Sequence, residues 1–469
     1  MRYARILVVI VAALGGLLLP QIVSPAHASV RTDGVVSDLT WYISRADMDK
    51  SIAMMKDEGV KWIRANINWS SIEPNTKGTL DAWWLGEIDY VVAQAHAAGI
   101  EILMPIADGV PYWASADPHK SGSSWDKYYR PSNFQDYADF AKKIVARYAP
   151  KGVHAYEVWN EPNYSRFWPS GPSAVDYVSM LKAAYPAIKA ADPSATVVTG
   201  GVSRNDFSFI AAIYAAGGKG YFDAVGVHPY TNTVDPTSCW TDANGKNSID
   251  AFCGIESVHN VMAANGESAK TIWITEFGWS TASGASNGVT EATQASYLTK
   301  AFNKLDSYSY VEHAFWYGFR NNYWSNNDQS DIEANYGLTR VDFSTKPSYA
   351  AFKTAMGGGG ATTTTTAVPT PTTVKVGDTT PPAITGLAAK WVYATSEKLV
   401  WNTNEPANSV VQYWKTGGTT MRASTAALVT GHAVKITGLS RTTLYNVRVQ
   451  STDAAGNTAT SPTITFKTT

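Results

Sequence analysis

Two apolar runs of this chain each end in a glutamate. In Val158-Trp159-Asn160-Glu161-Pro162-Asn163 a β-type run gives way to an amide, a carboxylate and a proline that cannot continue a ladder. In Ile272-Trp273-Ile274-Thr275-Glu276-Phe277-Gly278-Trp279 a second run delivers Glu276 at its exit. Two carboxylates across a cleft suit the cleavage of a glycosidic bond. One stays protonated and hands its proton to the leaving oxygen; the other is ionised and attacks or supports the anomeric carbon. A gap of about 5–5.5 Å gives retention through a covalent intermediate, and about 6.5–9.5 Å gives inversion through water. Mutual repulsion would raise the acid's pKa, while a neighbouring cation would keep the other carboxylate ionised. Taken alone, Asn160-Glu161-Pro162 could equally cap a turn.

The elements that must position these residues alternate in type. Strand-like runs fall at Gly34–Leu39, Trp62–Ile67, Ile100–Ile106, Ala155–Trp159, Thr196–Gly200, Ala224–His228, Thr271–Thr275 and Ala314–Tyr317. Helical stretches between them include Ala46–Glu58, Leu80–Ala98, Phe134–Tyr148, Ala174–Ala190, Ile255–Ala264 and Glu291–Leu305, with Lys346–Met356 closing the series. This pattern predicts an α/β fold, a (β/α)8 TIM barrel over residues 29–356. A doubly wound open sheet would share the alternation but would want a glycine-rich phosphate turn after an early strand, and none is present. In a barrel the C-terminal strand ends form the active face, so Glu161 and Glu276 would emerge there from strands four and seven.

These motifs resemble the clan A glycoside hydrolases. The stretch Asn160-Glu161-Pro162-Asn163 through Phe167-Trp168 is most similar to family 39, with family 5 a near second. The resemblance implies Glu161 as acid/base, Glu276 as nucleophile, and Asn160 bonding the sugar 2-hydroxyl. Arg64 resembles the arginine that pairs with the nucleophile; the alternative is a structural ion pair. His228 and Tyr230, in Gly226-Val227-His228-Pro229-Tyr230, resemble the clan's His/Tyr pair, although a hydrogen-bonded core histidine would also fit. Trp316 resembles the aromatic floor beneath the reacting sugar, or is core packing. Trp69, Trp113 and Trp168 follow strands two, three and four, as sugar platforms or loop anchors. The chain departs from the pattern after strand three, where Asp108 stands in place of a histidine and would change the subsite contacts.

Composition narrows the partners. Of 469 residues 16% are charged and the formal net charge is −1, a balance with no field to attract nucleic acid. Aromatic residues reach 12%, with 17 Trp and 25 Tyr, a surplus that suits both core packing and stacking on sugar faces. Residues 1–28 read as a secretory signal: Arg2 and Arg5, an apolar run from Ile6 to Leu19, then Ala26-His27-Ala28. No second long apolar segment follows, so the mature chain is expected to be extracellular and outside the membrane. Cys239 and Cys253, the only cysteines, are expected to form a disulfide, worth roughly 3 kcal/mol in the chain-entropy account. His96, His119, His154, His259 and His313 are scattered, so no metal or cofactor is expected. No Gly-x-Ser-x-Gly elbow supports a serine hydrolase.

Residues 357–380 form a Gly/Thr/Pro-rich linker. Residues 381–469 show short alternating runs at Lys398–Asn402, Ser409–Trp414, Ala433–Thr437, Tyr445–Ser451 and Ile464–Lys467. With Trp401 and Tyr445 in core and corner positions, this block resembles a fibronectin type III module. The expectation is thus a secreted, monomeric, retaining hydrolase of a β-linked polysaccharide. A non-catalytic glycan-binding scaffold and a transglycosylase with the same residues are the alternatives.

Overall fold

The computed structural model describes residues 31–40, 43–107, 109–117, 128–322, 328–357, 379–389 and 396–468. The expected signal segment, most of the linker, His119 and Asp108 lie outside these residues. Eight parallel staves alternate with helices: β1 (Gly34–Val36), β2 (Trp62–Arg64) continued by β3 (Ile67–Asn68), β4 (Glu101–Ala107), β5 (Ala155–Val158), β6 (Thr196–Thr199) continued by β7 (Val202–Ser203), β8 (Val225–His228), β9 (Ile272–Phe277) and β10 (Val311–Tyr317). The strand order is β6-β5-β4-β2-β1-β10-β9-β8-β7. Val198 of β6 bridges Ala224, just before β8, and the Thr199 N–H donates to the Ala224 carbonyl at 3.0 Å, which closes the ring.

Alternation along each stave decides what faces inward. Ile63, Tyr156, Val158, Val225, Val227, Ile272 and Ile274 belong to the outer core under the helices. Val36, Leu103, Ala155, Val198, Ala224, Trp273 and Phe315 fill the barrel interior. Nearer the C-terminal ends of their strands, Arg64, Glu157, His228 and Thr275 continue the inward-facing series and point into the barrel above that hydrocarbon layer. The helices α1 (Arg45–Glu58), α2 (Trp69–Ile72), α3 (Ala82–Ala97), α4 (Phe134–Tyr148), α5 (Ala174–Ala191), α6 (Phe207–Ala215), α7 (Gly254–Ala264), α8 (Glu291–Leu305) and α9 (Pro347–Ala355) surround it. Ser44, Asp81, Asn133, Ser173, Asp206 and Thr290 cap six of them by accepting first-turn N–H groups, each worth about 1 kcal/mol.

The second and fifth staves, expected as single runs, are each split, the fifth at Gly200-Gly201. Helix α6 was not among the expected stretches. Its sequence FSFIAAIYA is short and apolar, and periodicity alone does not separate such a run from a buried strand.

The C-terminal block is an antiparallel sheet domain of β11 (Ile384–Ala389), β12 (Ser396–Lys415), β13 (Met421–Thr437), β14 (Leu444–Thr452), β15 (Thr458–Thr460) and β16 (Ile464–Lys467). The two runs expected at Lys398–Asn402 and Ser409–Trp414 are one strand. Register shifts between Asn402 and Ser409 bend it, so that its first half pairs with β11 and its second with β14. Trp401 is buried and its indole donates to Ser451 Oγ at 3.0 Å. The Tyr445 hydroxyl accepts the Ser440 N–H at 2.9 Å.

Glu58 ends α1 fully buried, and neither of its carboxyl oxygens has a hydrogen-bond partner among the described residues. Burial first, and then the charge of the preceding Asp57, push this carboxyl up to about 9, against the pull of Lys353. An unfolded glutamate titrates near ~4.3. Between those values the folded state holds a proton that the unfolded state has released, so stability falls as pH rises. Glu58→Gln should leave the melting midpoint unchanged near pH 4 and raise it by several degrees at pH 8, measured by scanning calorimetry.

Candidate active site

The site is assembled around Arg64, the last residue of β2, which is 1% exposed. Its Nε donates to Glu157 Oε2 at 2.6 Å, one terminal nitrogen donates to Glu276 Oε1 at 2.6 Å, and the other to Asn160 Oδ1 at 2.9 Å. His228 ends β8 fully buried, with Nδ1 3.0 Å from Glu161 Oε1 and 3.6 Å from Glu276 Oε2. The Tyr230 hydroxyl donates to Glu276 Oε2 at 2.9 Å. One imidazole nitrogen thus lies beside both glutamates, and Glu161 Oε1 and Glu276 Oε2 can be no further apart than those two contacts together.

Local backbone explains how each carboxylate arrives. After β5 the chain takes left-handed φ at Trp159 (74°) and Glu161 (44°), on either side of Asn160. Such non-glycine conformations cost about 1–3 kcal/mol each and persist only when the surroundings hold them. Here the Trp159 indole is buried and donates to the Phe167 carbonyl at 3.1 Å, while the Glu161 N–H donates to the Gly201 carbonyl at 3.0 Å. On β9 the register with β10 runs Ile274 to Ala314 and then Phe277 to Trp316. Three residues on β9 therefore span two on β10, a bulge at Thr275-Glu276. The extra residue breaks the alternation, so consecutive side chains can serve the interior: Thr275 meets Glu157 below and Glu276 enters the cleft.

The carboxyl of Glu276 would be pushed up by burial, yet the His228 charge, the Arg64 guanidinium and the Tyr230 hydrogen bond together hold it below the usual glutamate value. Burial pulls His228 down, but the charge of Glu276 and its hydrogen bond with Glu161 leave it above the ordinary histidine value. Glu276 is therefore ionised at neutral pH.

A cleft of about 760 Å³ opens over this cluster, in the upper part of the range for small-molecule sites. Asn160, Glu161, Tyr230 and Glu276 line it, together with Tyr128, Tyr164, Phe167, Tyr317, Glu333 and Tyr336. The tryptophans for which the sequence left both a stacking and an anchoring or packing role open lie away from the cleft lining. Trp69 and Trp168 are 1% and 0% exposed; Trp69 donates to Glu73 Oε2 at 2.8 Å and stacks on Phe140. Trp113 donates to the Glu73 carbonyl and packs edge-on against Trp69, so these three anchor loops and core. Trp316 is also 0% exposed, its indole donating to the Tyr336 carbonyl, and the next residue, Tyr317, is the aromatic that reaches the cleft. Strand alternation puts Trp316 outward and Tyr317 inward.

Glu157, Thr275, Tyr317, Glu333 and Tyr336 were not singled out in the sequence. For Glu157 the signal existed: a charge inside the apolar run Ala155–Val158 demands a buried partner. The disulfide Cys239–Cys253 is formed, and the loop it closes brings Ile249 and Asp250 to the cleft. Among the described residues no group of three His, Cys, Asp or Glu side chains could hold a metal, and no helix is long and apolar enough to cross a membrane.

A (β/α)8 barrel with one glutamate after its fourth stave and another at its seventh has the plan of a clan A glycoside hydrolase. The family model "Cellulase (glycosyl hydrolase family 5)" matches residues 23–330, and the chain belongs to that family. It is a retaining glycoside hydrolase. Of the two families its motifs resemble, family 39 enters as a structural neighbour. A family 39 glycoside hydrolase from the gut symbiont Bacteroides cellulosilyticus WH2 is similar at 20% identity, over 87% of this chain and 80% of that one, with a TM-score of 0.56. A GH5_18 enzyme from Streptomyces cattleya, in complex with GlcNAc, matches at 15% identity over 70% and 80%, TM-score 0.54. A monomeric beta-xylosidase from Caulobacter crescentus CB15 matches at 14% over 93% and 94%, TM-score 0.52. At these identities the likeness is one of fold. No curated protein matches the chain in sequence.

Removing the Tyr230 hydroxyl takes one donor from the charged form of Glu276, so Tyr230→Phe should raise that carboxyl's pKa. The acid limb of kcat/KM should move upward by about one pH unit, read from the pH profile on an aryl β-glycoside. An unmoved limb would detach Tyr230 from the titration of Glu276.

Proposed function

We propose that the chain is a secreted β-glycosidase that cleaves a β-linked polysaccharide by double displacement, with Glu161 as acid/base and Glu276 as nucleophile. The observation that carries this reading is the contact of both glutamates with the same His228 nitrogen, at 3.0 and 3.6 Å, on the floor of one cleft. That closeness supports direct attack rather than a water held between the two carboxylates.

In the first step Glu161 gives its proton to the leaving oxygen while a Glu276 oxygen attacks the anomeric carbon, and the C–O bond to the leaving sugar breaks. In the second, water attacks that carbon, Glu161 takes the water proton, and Glu276 departs as carboxylate. Arg64 and Tyr230 engage one oxygen each of Glu276 and assist that departure. With Asn160 Oδ1 held by Arg64, its Nδ2 is left to donate to the sugar 2-hydroxyl. Tyr317 supplies the aromatic surface for the reacting sugar.

The disulfide supports action outside the cytoplasm, in line with the signal-like residues 1–28. The C-terminal domain, with its core tryptophan and tyrosine corner, is read as a fibronectin type III spacer. The sugars of the structural neighbours, xylosides and GlcNAc-containing glycans, head the substrate panel, beside β-glucans, mannans and bacterial exopolysaccharides.

Glu276→Ala should lower kcat at least ~10³-fold, and added azide should restore turnover with an α-glycosyl azide as product. Undiminished hydrolysis would remove Glu276 from the chemistry. Glu161→Gln should cost substrates with poor leaving groups far more than activated aryl glycosides, because only the former need protonation. Equal losses on both substrate types would contradict the acid role.

A further inference from the structure

Below the two glutamates lies a second row of buried polar groups with no role in the reaction scheme above. Glu157 is 0% exposed and paired with Arg64, so it is a carboxylate that can only accept. Its Oε1 accepts the Gly201 N–H at 2.8 Å and the Thr275 hydroxyl at 3.0 Å. Thr275 is also 0% exposed, and its Oγ1 lies 3.0 Å from His228 Nε2. A hydroxyl has one hydrogen. Since that hydrogen is committed to Glu157, Thr275 can only accept from His228, and the proton must sit on Nε2. A neutral His228 then presents the lone pair of Nδ1 to Glu161.

We infer that Thr275 and Glu157 are positioning residues that fix the Nε2–H tautomer of His228 and so keep the catalytic proton on Glu161. This rests on the acid/base role proposed for Glu161. With an acceptor at Nδ1, Glu161 donates its proton to the ring and is held in the acid form until the leaving oxygen takes that proton. With the opposite tautomer, Nδ1–H would donate to Glu161 and favour its carboxylate. The groups facing His228 are Glu161, Glu276, Arg64 and Tyr230. The packing is built for this row. A Cβ at Gly201 would collide with both His228 Nε2 and Thr275 Oγ1, so the glycine is what lets these two meet.

The test is Thr275→Val, which keeps the shape and removes the hydroxyl, with Thr275→Ser as the conservative control. In the full chain, the basic limb of kcat/KM should move down by about one pH unit in Thr275→Val and return in Thr275→Ser. A merely structural role would lower activity or the melting midpoint and leave that limb in place, which would overturn the proposal. Two-bond nitrogen–carbon-proton spectra of the labelled His228 ring provide a readout independent of turnover. Protonated Nε2 and bare Nδ1 are expected in the wild type above the basic limb, and a shift toward protonated Nδ1 in Thr275→Val. A wild-type ring protonated on Nδ1 would refute the inference even in an enzyme whose glutamates act as proposed. If instead Glu161→Gln failed to discriminate leaving groups, the acid role would fall while the tautomer result stood.

Discussion

A guanidinium that is almost wholly removed from water constrains everything around it. Stripping Arg64 of its hydration is sustained only because acceptors meet it on three sides: Glu157 from β5, Asn160 beyond it, and Glu276 from β9. Deleting one partner of such a pair costs on the order of 3–5 kcal/mol, since the remaining charge is left buried. The pair therefore ties the second, fourth and seventh staves together at the height where the chemistry takes place. The interior of the barrel is divided accordingly, with a hydrocarbon layer of Val36, Leu103, Ala155, Val198, Ala224, Trp273 and Phe315 below and an electrostatic layer above. The lower layer makes the ring rigid, and the upper one turns that rigidity into fixed positions for two carboxylates.

The sequence carried much of this, because its strongest signals were local. Each stave was visible as an apolar run, and two of them ended in glutamates, so the convergence of Glu161 and Glu276 followed from counting strands. Arg64, His228 and Tyr230 lie at strand ends as well and converge on the same point. What stayed hidden depends on parity and on distant contacts. Trp316 and Tyr317 are neighbours at the end of β10, and only the pleat decides which faces the cleft. The bulge at Thr275-Glu276 is set by pairing with β10, which no window of β9 residues contains. Trp69 and Trp168 follow strands as sugar platforms would, yet their rings are drawn inward by Phe140 and Trp159.

The aromatic surplus is thus partitioned by chemistry. The indoles named from the sequence are buried or pinned in loops: Trp69, Trp113 and Trp316 donate to the Glu73 carboxylate, the Glu73 carbonyl and the Tyr336 carbonyl, while the Trp168 N–H is buried with no partner among the described residues. The rings that reach the cleft are mainly tyrosines, with Tyr230 packed against Tyr317 and Tyr336 at 6.1 and 5.7 Å. A phenol brings both a flat face and a hydroxyl that can donate or accept. Tyr230 uses the hydroxyl on Glu276, so its edge packing against the other two rings also fixes the direction of that hydrogen bond.

Charge conservation explains why these groups are grouped so closely. On the proposed mechanism the cluster holds, before bond cleavage, the Arg64–Glu157 ion pair, the Glu276 anion and a protonated Glu161. On the proposed mechanism Glu276 loses its charge as it forms the glycosyl ester, and Glu161 gains one as its proton departs with the leaving sugar. The sum is unchanged, and the negative charge has only moved from one side of the His228 nitrogen to the other. A buried site of low polarisability resists a change in its net charge far more than a short displacement of that charge. The fixed Arg64–Glu157 pair beneath can therefore serve both chemical steps without rearranging, which is the condition for a preorganised site.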